Sequence, residues 1–174
     1  TLESSSAASD VYKRQVDIIL CESMSSIFEG SNASRVAKEF SERVWLSWTN
    51  RGHQPDQLPS TENLSKAIDF SIDADVECTL INCSHADMAS NSISELKRAP
   101  KFGIFANSSK FKEVDLSIAT KDVDAIHHLN SEKISAKEYA KIALSWAKEG
   151  AFVVGGCCGT CLLYTSPSPR DTRR

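Results

Sequence analysis

The sequence lacks an apolar run long enough to cross a membrane, and it has no recognisable secretory signal. Basic residues are not in excess either, since 20 Lys and Arg stand against 23 Asp and Glu and give a formal net charge of −3. Nucleic acids and anionic membranes attract proteins through excess positive charge, so neither is expected as a partner. The hydrophobic content of 41% is instead typical of a chain with a globular core.

The two ends of the chain are interpreted as artefact. Residues 10–15 can be encoded by one strand of a short DNA whose complementary strand encodes residues 161–166, and this DNA resembles an adapter used to prepare sequencing libraries. Two ends of a natural protein have no reason to encode both strands of one oligonucleotide. We therefore treat 1–15 and 161–174 as artefactual, disordered tails and expect one domain over 16–160.

The domain also lacks a cysteine set suited to disulfides, because its five cysteines are an odd number and two of them are adjacent. Together with the missing secretory signal, this favours a reducing cytoplasm, where thiols bind metals or react rather than form disulfides. Cys21 and Cys78 lie inside apolar runs and are interpreted as core residues. The other three, Cys83, Cys157 and Cys158, are the candidates for chemistry.

Short apolar runs alternate with amphipathic stretches along the domain. The runs predict buried parallel strands at 16–20, 44–48, 79–81, 102–105 and 152–154. Apolar residues recur at helical spacing between the runs, and Ser135 with Glu138 predicts a capping box at the start of the last helix. This series of βα units predicts an α/β fold, either an open doubly wound sheet or a (β/α)₈ barrel.

Polar side chains follow the predicted strands, and both architectures collect strand ends at one face. Cys157 and Cys158 follow a strand that ends in two glycines. Adjacent cysteines can share a metal only if the backbone leaves strand geometry there, and Gly155 and Gly156 are expected to permit this departure. With Cys83, they would form a zinc site whose fourth position stays open.

From spacing alone, a zinc site and ordinary buried cysteines remain equally acceptable readings of Cys83, Cys157 and Cys158, because ligands distant in sequence are weak evidence. Glu22, taken by itself, is interpreted as an ordinary exposed carboxylate. His85, two residues after Cys83, is interpreted as a solvated side chain rather than a ligand.

These residues resemble the signature of the homocysteine S-methyltransferase family. The segment Gly155–Thr160 matches the family's GGCCGT, and Asn82-Cys83 matches its asparagine-cysteine pair. Three further segments match the family's motifs in the same order along the chain: Asp17–Glu22, Val44–Thr49 and Ala106–Ser108. The resemblance covers essentially the whole of 16–160.

The resemblance implies that Cys83, Cys157 and Cys158 bind Zn²⁺, that Glu22 contacts the ammonium of homocysteine, and that Asn107 belongs to the substrate-binding set. It also implies a (β/α)₈ barrel. Because a full barrel needs about 250 residues, the chain is expected to hold approximately strands 4 to 8, and this part alone is expected to be inactive.

The implied activity is methyl transfer from an onium donor to the thiol of homocysteine, which gives methionine. Two alternatives remain open at this stage. One is the homocysteine-binding module of a cobalamin-dependent methionine synthase, and the other is a non-catalytic zinc-binding barrel domain.

Overall fold

The structure is a computed structural model that describes residues 16–52, 54–111 and 131–160. The two tails interpreted as artefact lie outside these ranges. In chain order the elements are β1 (Ile19–Met24), α1 (Ile27–Lys38), β2 (Val44–Trp48), α2 (Leu64–Asp73), β3 (Cys78–His85), α3 (Ala86–Asn91), α4 (Ile93–Leu96), β4 (Phe102–Asn107), β5 (Ser109–Phe111), β6 (Ser131–Lys133), α5 (Ala136–Lys148) and β7 (Val153–Gly156).

The main sheet has five parallel strands in the order β1-β2-β3-β4-β7, while β5 and β6 form a separate antiparallel pair. The strand order of the main sheet follows the chain without reversal. Doubly wound sheets reverse their order at a switch point, whereas barrels do not. The predicted α/β fold with a parallel sheet is therefore confirmed, and the order favours the barrel over the doubly wound alternative.

Large side chains meet across the sheet face that lies opposite the helices. The rings of Trp45 on β2 and Phe152, next to β7, meet edge to face with centroids 6.0 Å apart, although two strands lie between them. Three strand spacings amount to roughly 14 Å, so the two side chains lean toward each other over the intervening strands. This contact is compatible with the inner face of a partial barrel, and the numbering of the strands as 4 to 8 stays a prediction.

The hydrophobic core lies between the other face of the sheet and the helices. Alternate residues of the strands, including Leu46, Ile81 and Ile104, are fully buried there against Leu64 of α2 and Trp146 of α5. This alternation is the period of two that a strand imposes on its side chains. None of the helices in the described ranges is long and apolar enough to cross a membrane.

The first strand differs from its prediction. We predicted 16–20, whereas β1 begins at Ile19 and continues to Met24. Pairing with the next strand decides this, because Ile19 lies opposite Val44, the first residue of β2. Glu22 therefore lies inside the strand, on the opposite face from Cys21, which packs against the core.

A polar network lies at the end of the sheet where the parallel strands begin. The carboxylate of Glu77 accepts hydrogen bonds from Arg43 (2.9 Å), Lys101 (3.0 Å) and the Trp45 indole (3.3 Å). The hydrogen bond from Arg43 is the main cause that lowers the Glu77 pKa from 4.5 to about 2. Lys101 also lies 4.8 Å from the centre of the Phe152 ring, so the network joins β2, β3, β4 and β7.

The network predicts a defined loss of stability in acid. Because folding depresses the Glu77 pKa, its contribution is present above pH 4.5 and disappears as the pH falls towards about 2. Glu77→Gln should therefore lower the thermal unfolding midpoint at pH 7, and the difference from the parent should shrink across this window. Glu39→Gln, which removes only an exposed helix pair, is the control. A difference that stays constant down to pH 2.5 would contradict this prediction.

Candidate metal centre

Three thiols meet beyond the carboxyl ends of the strands. Cys83 is near the end of β3, and Cys157 and Cys158 directly follow β7. Their sulfur atoms all lie within 4.8 Å of one another, and the Sγ atoms of Cys83 and Cys158 are 3.6 Å apart. Two sulfurs bound to one zinc at 2.3 Å in tetrahedral geometry are about 3.8 Å apart. The three thiols therefore fit the ligand set of a zinc ion.

Electrostatics favours the same fit. Burial, followed by hydrogen bonding to Cys158 and the charges of the other two cysteines, raises the pKa of Cys83 to about 12. Burial and the neighbouring Cys158 also raise the pKa of Cys157. Three adjacent thiolates repel one another unless a cation lies between them, and a divalent metal bound by thiolates supplies that charge.

The backbone at Cys83 is held in an unusual conformation. Its φ angle is +51°, in the left-handed region, and the pairing of β3 with β4 shifts register between Asn82 and His85. A residue other than glycine costs about 1–3 kcal/mol in such a conformation. This conformation takes the Cys83 side chain out of the regular alternation of β3. The surrounding structure must therefore stabilise the backbone at Cys83.

Asn82 provides that support. Its side-chain oxygen accepts hydrogen bonds from the Ser47 hydroxyl (2.7 Å) and the Ser23 amide (3.0 Å), and its side-chain nitrogen donates to the Ser23 hydroxyl (2.8 Å). Asn82 is only 1% exposed. It therefore ties the end of β1 and the middle of β2 to the residue before Cys83.

The glycines of β7 act differently from our expectation. Neither Gly155 nor Gly156 has a positive φ, and both remain within the strand. A Cβ atom at Gly155 would lie 2.8 Å from Cδ1 of Phe105, and one at Gly156 would lie 2.5 Å from side-chain atoms of Thr160. The prediction that they permit a backbone departure is wrong, because they are needed for close packing and the chain leaves the strand only after them.

Asn107 holds the backbone of the two adjacent cysteines, Cys157 and Cys158. Its side-chain oxygen accepts a hydrogen bond from the backbone amide of Cys158 at 3.0 Å, and the Ser108 amide donates to the Cys158 carbonyl at 3.0 Å. The Cys157 amide donates to the Ala106 carbonyl at 2.8 Å. The predicted substrate contact of Asn107 remains a prediction.

The sequence analysis also made predictions for Glu22 and His85. Glu22 is exposed, and among the described residues its carboxylate makes no hydrogen bond or ion pair. Its neighbour Ser23 is bonded to Asn82, which precedes Cys83, so Glu22 belongs to the same end of the sheet. The interpretation of His85 as solvated is wrong: it is 5% exposed, because it lies in β3, and its Nδ1 lies 2.9 Å from the Ser109 hydroxyl.

Sequence analysis missed Tyr139. Its aromatic ring fits the apolar spacing of α5, but its hydroxyl reaches the carbonyl oxygens of Ala106 (2.8 Å) and Gly155 (2.6 Å). Burial raises the pKa of Tyr139 to about 12, so the phenol keeps its proton and remains a donor. It therefore ties β4 to β7 just before the two adjacent cysteines.

Tyr139→Phe tests this tie with little other change, since the aromatic contact with Trp146 (5.8 Å) is retained. We expect a loss of about 1 kcal/mol in the free energy of unfolding and a roughly tenfold loss of zinc affinity, the size usual for residues that orient ligands. Denaturant titration and zinc competition with a chelator measure the two effects. Unchanged zinc affinity would show that the hydroxyl does not position the thiols.

Comparison with known proteins agrees with this site. The family model described as Homocysteine S-methyltransferase matches residues 5–162, which include all three thiols. The chain belongs to the homocysteine S-methyltransferase family. A curated member, Homocysteine S-methyltransferase YbgG of Bacillus subtilis (strain 168), is 25% identical over 147 residues, which are 83% of this chain and 43% of YbgG.

Solved structures of another family member share the fold. The apo form of the homocysteine methyltransferase MmuM from Escherichia coli matches with a TM-score of 0.59 at 16% identity, over 87% of this chain and 53% of MmuM. The metallated form matches with a TM-score of 0.58 at 16% identity, over 87% of this chain and 48% of that one. This chain therefore spans about half the length of the relatives that it matches.

Proposed function

We propose that the protein to which this chain belongs transfers a methyl group from an onium donor to the thiol of homocysteine, giving methionine, and that Cys83, Cys157 and Cys158 hold a Zn²⁺ ion for this reaction. The observation that carries the proposal is the convergence of three sulfurs within 4.8 Å at the strand ends of a family member. In this proposal residues 16–160 form part of a homocysteine-binding barrel.

Bound zinc would ionise the homocysteine thiol at neutral pH, where a free thiol with a pKa near 8.5 is mostly protonated. The residues of the chain itself hold and orient the three cysteines. Asn82 and Asn107 fix the backbones of Cys83 and Cys158, and the three cysteine sulfurs bring negative charge to the site. That charge keeps electron density on an incoming sulfur and favours attack on a positively charged donor.

Glu22 would bind the homocysteine ammonium, since its carboxylate is exposed at this end of the sheet and has no partner among the described residues. In the transfer, the electron pair of the homocysteine sulfur forms the new bond to the methyl carbon. The bond between that carbon and the donor heteroatom breaks, and its electron pair returns to the heteroatom and cancels the positive charge. The thiol proton leaves to solvent, and the remaining task is alignment.

Zinc absorption spectroscopy on the zinc-loaded full-length protein tests this function. Addition of homocysteine should add one sulfur ligand to the zinc, whereas homoserine, which has a hydroxyl in place of the thiol, should add none. Methyl transfer should also stop when zinc is removed and return when it is restored. Turnover that continues after verified removal of zinc, or a spectrum unchanged by homocysteine, would refute the proposal.

A further inference from the structure

His85 is a buried imidazole beside the proposed metal centre that the proposed reaction does not use. It follows Cys83 by two residues and lies opposite Asn107 in the pairing of β3 with β4. His85 is not one of the three candidate metal ligands, which are all cysteines. Burying the polar nitrogens of an imidazole is costly unless they are hydrogen-bonded, so the contacts of His85 indicate its role.

One of these contacts is to Ser109, the first residue of β5. The His85 Nδ1 atom lies 2.9 Å from the Ser109 hydroxyl, and the ring meets that of Phe111 edge to face with centroids 6.1 Å apart. The Phe111 amide also donates to the carboxylate of Asp87 on α3 at 3.1 Å. The start of β5 is thereby fixed against the segment that follows Cys83.

Ser108, the residue before Ser109, holds the other cysteine segment. Its amide donates to the Cys158 carbonyl at 3.0 Å, and its carbonyl accepts from the Ile134 amide at 3.2 Å. The next residue after Cys158 is Gly159, where φ is +78° and a Cβ atom would lie 2.6 Å from the Ser108 hydroxyl oxygen. The turn that contains Cys158 therefore packs directly on Ser108.

The two serines form a two-residue bridge between the two parts of the thiol cluster. Ser109 contacts His85, which follows Cys83 by two residues. Ser108 bonds to Cys158 itself. The Sγ atoms of Cys83 and Cys158 are 3.6 Å apart although 75 positions separate these residues in sequence. Because a functional site must be held to within about 0.5 Å of its working geometry, the bridge is placed to set this distance.

We propose that His85 and Ser109 are a positioning pair, whose hydrogen bond fixes the turn of Cys157 and Cys158 relative to β3 and so prepares the metal site. Neither side chain is a metal ligand in this assignment. The pair acts through Ser108, whose backbone holds the turn. This inference rests on the proposed function, because it assigns both residues to the metal centre of that reaction. Residues that orient ligands without binding the metal typically change metal affinity about 10- to 100-fold.

The test measures the zinc affinity of the full-length protein and its variants by competition with a chelator. Ser109→Ala removes the hydroxyl, and His85→Phe removes the ring nitrogen but keeps an aromatic ring beside Phe111. Each should weaken zinc binding roughly tenfold. The double variant should bind zinc no more weakly than either single variant, because both lose the same hydrogen bond. Ser109→Thr, which keeps a hydroxyl, should restore the affinity of the parent.

Ser71→Ala is the matched control. The Ser71 hydroxyl accepts a hydrogen bond from the Trp48 indole at 3.0 Å, so this change also removes a bond between a serine and an aromatic ring nitrogen. Ser71 lies on α2, outside the thiol cluster. The variant should lower the thermal unfolding midpoint and leave zinc affinity unchanged.

Cobalt spectroscopy separates positioning from a general loss of stability. Co²⁺ replaces Zn²⁺, and the absorption of a cobalt-thiolate centre reports the geometry of its ligands. Ser109→Ala and His85→Phe should change this spectrum in the folded protein, whereas Ser71→Ala should reproduce that of the parent. Ser109 is only half-buried, so Ser109→Ala tests the pair even if His85→Phe does not fold.

Two results would overturn the inference. In the first, Ser109→Ala lowers the unfolding midpoint as Ser71→Ala does, but keeps the zinc affinity and the cobalt spectrum of the parent. The hydrogen bond would then be structural only. In the second, the losses of zinc affinity add in the double variant, which would show that His85 and Ser109 act separately.

Failure of this inference differs from failure of the proposed function. If the parent protein gains a zinc-sulfur contact with homocysteine but Ser109→Ala binds zinc normally, only the positioning pair is wrong. If homocysteine leaves the zinc spectrum of the parent unchanged, the proposed function is wrong whatever zinc affinities the His85 and Ser109 variants have.

Discussion

Replacing Cys158 by serine is expected to abolish stoichiometric zinc binding and, with it, methyl transfer. Serine is nearly isosteric but offers a hydroxyl that stays protonated where cysteine supplies a thiolate. Residues that merely orient ligands change metal affinity 10- to 100-fold, so removal of a ligand should exceed about 100-fold. Cys83→Ser and Cys157→Ser should have the same effect, since the three sulfurs form one cluster.

Cys21→Ser is the matched control for this experiment. Like Cys83 and Cys157, Cys21 is partly buried and forms no disulfide. It packs against the hydrophobic core, outside the thiol cluster. Metal analysis of the purified proteins, with a chelator competition to obtain affinities, measures the effect. If Cys158→Ser kept one zinc per chain with the affinity of the parent, the assignment of the metal site would have to be abandoned.

Asn82→Ala is expected to have the largest effect on stability. The change removes three hydrogen bonds, leaves the buried Ser47 hydroxyl without its partner, and takes two part-buried bonds from the exposed Ser23. A buried group left unsatisfied costs about 1–3 kcal/mol and each further lost hydrogen bond about 0.5–1.5 kcal/mol, so the free energy of unfolding should fall by about 2–5 kcal/mol. Cys83 would also lose the support for its left-handed backbone, and zinc affinity should fall with it.

The control for Asn82→Ala is Asn32→Ala. Asn32 lies on α1, and its side chain makes a single local hydrogen bond to the Phe28 carbonyl at 2.9 Å. Its removal should change the free energy of unfolding by less than about 1 kcal/mol and leave zinc affinity unchanged. Urea titration of both variants gives the comparison. An Asn82→Ala protein as stable as Asn32→Ala would show that the Asn82 contacts carry little weight.

Local patterns were sufficient to predict most of the helices and strands. The apolar runs placed β2 and β4 within two residues of their ends, and Ser135 accepts from the Glu138 amide at 3.2 Å as the first half of the predicted capping box. Such features depend on residues close in sequence, so the pattern contains them. The beginning of β1 was misplaced because pairing with Val44 on another strand decides it.

The same distinction holds for the site. The family's motifs singled out the three cysteines that the structure brings together, but the contacts of their neighbours were not predicted. The hydrogen bond from the Cys158 amide to the Asn107 side-chain oxygen was not predicted, and Gly155 was expected to bend the chain, whereas it makes room for Phe105. Each of these roles depends on a residue about fifty positions away.

The sequence by itself determined the α/β fold class, because periodicity is a property of the chain, and its motifs singled out the three cysteines as candidate ligands. Tertiary structure alone decided that the strands lie in chain order, that Cys83 adopts a left-handed backbone beside Cys158, and that His85 lies against Ser109 next to them. These facts arise when distant segments pack together, since a contact between strand ends is set by sheet register and helix packing rather than by the neighbouring residues.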